Sequence, residues 1–197
     1  MKTLAKIFGN ETRVKMMRLF IFNPEAVYTN EEICERIRSE KNEVKKETEN
    51  LQSAQFLKRV AVPREAPGRK NKETAWSLNP LFNYRDQFQT LLTTTILLKE
   101  DDLVERLSKA GKLRLVVVAG IFIGRWDSRV DILVVGDKIK EEIIQSTISK
   151  IESEIGKELS YTAMATEDFQ YRKGVGDRLV RDILDYPHSV ILDKFGI

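Results

Sequence analysis

The sequence predicts a two-domain α+β / α/β chain: a helical N-terminal domain closed by a β-hairpin, then an α/β domain with a small mixed sheet. Over the first eighty residues, apolar side chains recur at helical spacing in three short segments. Two strand-like runs then flank a tip bearing Pro and Gly. From Lys112 onward, continuous apolar runs of strand length alternate with amphipathic helical segments. Charge divides along the same line. Residues 1–80 hold 16 Lys and Arg against 11 Glu, a net of +5, whereas residues 81–197 hold 17 basic and 19 acidic residues, a net of −2. The expected boundaries are 1–80, a helical connector over 81–110, and 111–197.

The first helix lies in "NETRVKMMRLFIF", with Val14, Met17, Phe20 and Ile21 on one face, Asn10 as its cap and Pro24 beyond its end. "TNEEICERIR" is the second, opened by a Thr29/Glu32 capping box, with Ile33, Ile37 and Cys34 turned inward. After the polar turn "SEKN", "EVKKETENLQSAQFLKRV" places Val44, Thr48 and Leu51 on one side, and Phe56 and Leu57 anchor the exit. Two short helices joined by a tight turn make a helix-turn-helix. Strands over 57–62 and 74–78 follow, around the tip "REAPGRKNK". The segment 58–72 carries six cations against Glu65 alone, a local net of +5, and clustered cations are what a phosphate backbone is held by.

Residues 10–80 resemble the winged helix-turn-helix domain of ArsR-like regulators. The order of elements carries the resemblance, with "LQSAQFLKRV" at the end of the third helix and "AWSLNP" closing the wing. It implies that the third helix enters the major groove of double-stranded DNA and that the wing rides on neighbouring backbone or minor groove. On this chain the outward residues of helix three are Lys41, Asn42, Lys45 and Lys46, and the wing contacts are Arg64, Arg69, Lys70 and Lys72. Asn42 is suited to a base edge and the lysines to phosphates. Glu43, Glu47 and Glu49 dilute the helix's positive charge, so the wing tip is the stronger signal. Replacing Arg69, Lys70 and Lys72 together by Ala is expected to weaken duplex binding and flatten its salt dependence in a gel-shift series; unchanged binding would deny the wing a role. The metal-sensing cysteines of that family are absent.

"NYRDQFQTLLTTTILL" carries a helical stripe of Phe88, Leu91, Leu92 and Ile96; in such regulators a helix after the wing commonly pairs two subunits, so a homodimer is expected, with packing of the stripe onto its own domain as the alternative. "KEDDLVERLSKAG" is a second connector helix, acidic at its start and stopped by Gly111. Then "LRLVVVAG" and "VDILVVGD" read as buried strands, "KEEIIQSTISKIESEIGKEL" as an amphipathic helix, and "LSYTAMA" as a third strand. "TEDFQYR" and "GDRLVRDILDYP" are helical, and "SVILD" is a last strand.

Residues 112–195 resemble, in minimal form, the nucleotidyltransferase fold of the DNA polymerase β superfamily, on "VVVAGIF", "SRVDILVVGD" and "SYTAMATEDFQYR". Active members place Gly-Ser at a helix start and two acids spaced i, i+2 on the next strand, because alternate strand residues share a face and aim at one metal pair. Here Gly120 matches the glycine, Ile121 replaces the serine, Arg129 takes the first acidic place and Asp131 keeps the second. The loop "IFIGRWDS" is shorter than usual. Asp127 is four residues from Asp131, about 13 Å along a strand and beyond joint ligation. No acid follows Glu158 on the third strand. Metal-dependent transfer is therefore expected to be lost, with Asp131 paired to Arg129. No catalytic residue, metal or cofactor is assigned. A small anionic or nucleotide ligand, touched by Arg172, Lys173 or Arg178, remains open; "GVGDR" is merely a loop.

The resulting expectation is a cytoplasmic, DNA-binding transcriptional regulator whose C-terminal domain serves dimerisation, sensing or partner contact. Two alternatives stand beside it: an active nucleotidyltransferase with rearranged ligands, and a non-enzymatic adaptor binding RNA or a partner protein. With one Cys and one His, a zinc site of those ligands is excluded. The apolar run 113–124 is broken by Arg114 and predicts core strand, not a membrane span, and the N-terminus lacks a secretory pattern.

Overall fold

A computed structural model describes residues 2–64, 71–95, 100–125 and 128–196. The chain is α+β, with nine α-helices and two small sheets among the described residues. It divides into two compact units: Met1–Leu92 with Glu152–Lys157, and Thr93–Ile151 with Glu158–Ile197. None of the described helices is long and apolar enough to cross a membrane.

The first unit opens with α1 (Lys2–Phe8), a helix the sequence reading did not anticipate. In α2 (Glu11–Phe22), Asn10 caps the start, its side-chain oxygen accepting from the Arg13 amide at 2.7 Å. The helix is buried on more than the expected face, since Met16, Leu19 and Phe22 are enclosed alongside Val14, Met17, Phe20 and Ile21. After β1 (Val27–Thr29) comes α3 (Asn30–Ile37), where Thr29 and Glu32 form the anticipated capping box: the Thr29 hydroxyl accepts from the Glu32 amide, and the Glu32 carboxylate accepts from the Thr29 amide. Ile33 and Ile37 are fully buried. Cys34 is half-buried, and burial pushes its thiol pKa up.

Helix α4 (Lys41–Ser53) follows, and Phe56 and Leu57 close its exit as expected, both 2% exposed. Strands β2 (Leu57–Arg64) and β3 (Asn71–Leu78) form an antiparallel hairpin in register from Leu57↔Leu78 to Arg64↔Asn71. Strand β1 adds to the other edge of β3, giving the order β1-β3-β2. This third strand was missed because three residues are too few to show alternation. Phe56 packs edge-on against Phe82 at 5.0 Å between centroids, and Phe82 against Phe88 at 5.4 Å. Phe88 opens the apolar stripe of α5 (Arg85–Thr94).

In the second unit, α6 (Glu100–Ser108) precedes a four-stranded sheet of order β6-β5-β4-β7. Strands β4 (Lys112–Val118), β5 (Ile132–Asp137) and β7 (Ser189–Asp193) pair antiparallel, while β6 (Tyr161–Ala165) joins β5 in parallel. A parallel pair needs a crossover, and α7 (Glu141–Ile155) supplies it. The sheet is thus mixed, as the sequence predicted. Opposite Gly136 the pairing shifts between Leu113 and Leu115, a β-bulge. A Cβ on Gly136 would lie 2.5 Å from the Lys112 carbonyl oxygen, so only glycine fits there. The bulged residue, Arg114, donates from Nε to Asp137 Oδ2 at 2.9 Å.

Helices α8 (Thr166–Gly174) and α9 (Arg178–Asp185) cover one sheet face. Phe169, Val180 and Ile183 pack there on Leu115, Val117, Leu133 and Val135. Burial of each such side chain contributes about 1.5–3 kcal/mol before conformational entropy is subtracted. With Val180 and Ile183 committed inward, α9 turns Arg178 and Asp182, one helical turn apart, away from the sheet.

Candidate functional site

Two places gather the chemistry. The first is the outer face of α4. Val44, Thr48 and Leu51 are buried, whereas Lys41, Asn42, Lys45 and Lys46 are all exposed. Lys41 Nζ lies 3.0 Å from Glu31 of α3, an ion pair exposed on both sides and so of little energetic weight. One expectation needs correcting. Glu47 does not dilute this face; it points inward at 2% side-chain exposure, and its carboxylate accepts from Arg13 Nε at 2.7 Å and Asn10 Nδ2 at 2.8 Å. Burial by itself would raise its pKa. The hydrogen bonds from Arg13, Asn10 and Asn50 outweigh burial and hold it below the ordinary glutamate value. Glu43 accepts from the Thr12 hydroxyl at 2.7 Å. The face opposite the core is more cationic than the linear order of acids suggested.

At the far end of the hairpin, Arg64 pairs in register with Asn71 and Lys72 with Pro63. Arg69 and Lys70, expected at the tip, lie outside the described residues. On the described part of β2, Lys58 and Arg59 are exposed. Arg59 donates from Nη2 to Thr74 Oγ1 across the strands at 2.7 Å. Neither residue was assigned to the interface from sequence, although both belong to the cationic segment.

The second place is a cavity of about 650 Å³ in the second unit. It begins where β4 ends. Ala119 leads into a 3₁₀ turn, Gly120–Ile123, with Gly120 at φ +56°. A Cβ at Gly120 would sit 2.0 Å from Asp131 Oδ1, so the glycine is required by both its backbone and its neighbour. Asp131 is wholly committed to backbone. Its Oδ1 accepts from the Ile121 amide at 3.3 Å, and its Oδ2 accepts from the Ser160 amide at 2.9 Å. Its own amide and carbonyl bond Ser160 and Ala119. The carboxylate therefore ties the Gly120 turn to the entrance of β6.

The expected Arg129–Asp131 pair does not form. Arg129 Nη1 donates to Asp182 of α9 at 2.7 Å, and Arg178 Nε stands 3.8 Å from the same carboxylate oxygen. The reason is that β5 starts at Ile132, one residue after Asp131. Positions 129 and 131 belong to the loop entering the strand, where strand alternation does not govern direction. Asp127 lies outside the described residues. Asp137 is drawn below the usual aspartate range by the Thr166 hydroxyl and then by Arg114.

The cavity is walled by Ala119, Gly120, Arg125, Arg129 and Val130 on one side, and by α9 and the segment after it on the other. "GVGDR" turns out to hold a working cap: Asp177 Oδ1 accepts from the Leu179 and Val180 amides and starts α9. Of the three cations expected near an anion, Arg178 lines the cavity, Arg172 pairs with Asp168 at 3.0 Å on α8, and Lys173 is exposed at the end of α8 and does not line the cavity. The i, i+4 pairing of Arg178 and Asp182 was visible in the sequence. Their meeting with Arg129 was not. Ser128 Oγ donates to the Val130 carbonyl at 2.8 Å. Among the described residues, no three His, Cys, Asp or Glu stand together as metal ligands. What the lining can do is hold anions by guanidinium.

Compared with family models, curated proteins and solved structures, the chain matches none.

Proposed function

We propose that this chain is a DNA-binding transcriptional regulator. In this reading residues 1–80 form a winged helix-turn-helix, and the C-terminal domain is a nucleotidyltransferase-like scaffold without transfer chemistry, serving sensing, dimerisation or partner contact. The observation that carries the DNA reading is the sidedness of α4. Val44, Glu47, Thr48 and Leu51 turn inward, while Lys41, Asn42, Lys45 and Lys46 turn outward, directly after a capped helix and directly before a hairpin.

In the groove, Asn42 would present an amide to an adenine edge and the lysines would meet phosphates, with Arg64, Arg69, Lys70 and Lys72 on adjoining backbone. Two copies would read paired half-sites. Fluorescence anisotropy on random duplex DNA across a salt series tests it. Each lost phosphate contact lowers the slope of log K against log salt by about 0.9. Replacing Lys41, Lys45 and Lys46 by Ala should therefore reduce that slope by roughly 2 to 3. An unchanged slope would reject the groove role of α4.

The enzymatic alternative is disfavoured by the commitments of two residues. Asp131 gives both carboxylate oxygens to backbone amides, and Arg129 brings a permanent positive charge to the wall of the cavity. Magnesium-dependent incorporation of labelled nucleotide would restore that alternative. Failure of both assays would leave the adaptor.

A further inference from the structure

We propose that the cavity beside Gly120 binds a small ligand made of a phosphate or similar dianionic head on an apolar, ring-bearing body, without a divalent metal. Asp182 occupies the arginine positions that the ligand's head takes over. The inference rests on reading the C-terminal domain as a sensing module and names the chemistry it senses.

Size is the first argument. About 650 Å³ falls within the roughly 300–1,000 Å³ typical of small-molecule sites. The walls are the second. Val130, Leu179, Ile183 and Pro187 offer an apolar side, and Tyr186, 67% exposed, offers a ring to stack on. Arg125, Arg129 and Arg178 offer the polar side.

Charge balance is the third argument. Of the two acids among the described lining residues, Asp177 spends its Oδ1 on capping α9, and Asp182 faces both Arg129 and Arg178. One carboxylate oxygen thus serves two guanidinium groups whose side chains are 68% and 75% exposed. Ion pairs so open to water hold weakly and exchange readily. A dianion can accept from both guanidiniums through separate oxygens, in bidentate geometry, where a single Asp182 oxygen cannot. Asp131 is not part of the cavity lining, and its oxygens are turned to the Ile121 and Ser160 amides.

The test is calorimetric titration of the full chain in EDTA at constant ionic strength, with phenyl phosphate, inorganic phosphate and phenol as probes. Phenyl phosphate should bind saturably and inorganic phosphate more weakly, with phenol showing no binding. Arg129→Gln and Arg178→Gln should each weaken phenyl phosphate by about tenfold or more, the scale of a lost charge-assisted hydrogen bond. Asp182→Asn should tighten it by freeing both arginines. Circular dichroism establishes that each variant is folded, and Arg85→Gln, at a residue that does not line the cavity, should bind like the parent.

Absence of saturable phenyl phosphate binding to the parent would overturn the proposal. So would parental affinity in both folded arginine variants, or weaker binding in Asp182→Asn. Duplex binding is measured separately: retained DNA binding with no phenyl phosphate binding sinks this inference alone, and the converse sinks the DNA reading alone.

Discussion

Gly120→Ala should destabilise the second unit by about 2–3 kcal/mol, from strained backbone combined with a displaced Asp131 carboxylate. At φ +56° an alanine is already strained, and its Cβ would lie 2.0 Å from Asp131 Oδ1 and 3.1 Å from Ser128 Cβ. Moving Asp131 aside would break its bonds from the Ile121 and Ser160 amides. Denaturant unfolding followed by circular dichroism measures the loss. The double variant Gly120→Ala/Asp131→Ala should cost less than the sum of the two single changes, because the second substitution removes the clash. Strict additivity, or a single-variant loss below about 1 kcal/mol, would show that the turn relaxes around the new methyl.

Glu47→Ala should cost the first unit about 2–3 kcal/mol, less than the loss of a fully buried ion pair because Arg13 stays 30% exposed and can rehydrate. The carboxylate joins α4 to the start of α2 through Arg13 and Asn10, so the same change should loosen the angle at which α4 is presented. Duplex affinity should then fall while its salt slope stays near the parental value, since no phosphate-facing cation is removed.

The pH dependence has a definite sign. The folded pKa of Glu47 lies below its unfolded value, so its stabilisation is fully present above the unfolded glutamate range, near about 4.3. It is lost as pH falls through the folded value. Parent and variant should therefore differ most at neutral pH and converge in acid. A gap that persisted unchanged to strongly acidic pH would deny Glu47 this role.

Local chemistry was readable along the chain. The Asn10 cap, the Thr29/Glu32 box, the hairpin around the Pro and Gly tip, and the strands after Lys112 were all signalled by residues close in the chain. Glu47 was half readable: it shares the helical face of Val44, Thr48 and Leu51, which marks it as inward, yet its partners Asn10 and Arg13 stand more than thirty residues away. Helix α1 and strand β1 carried too few residues to show a period. The Gly120 site was read for its residues and misread for its pairs, because strand alternation was extended back to Arg129, before β5 begins at Ile132.

Hydrogen bonds within a few residues, and apolar repeats at 3.6 or 2 residues, are written into the order of amino acids, so the elements, their caps and the cationic face of α4 follow from that order. Which acid meets Arg129, and that a cavity opens beside Gly120, depend on packing α9 against the sheet, 53 residues further along the chain. A guanidinium binds whichever carboxylate the folded backbone brings within reach, and that choice was left to the tertiary structure.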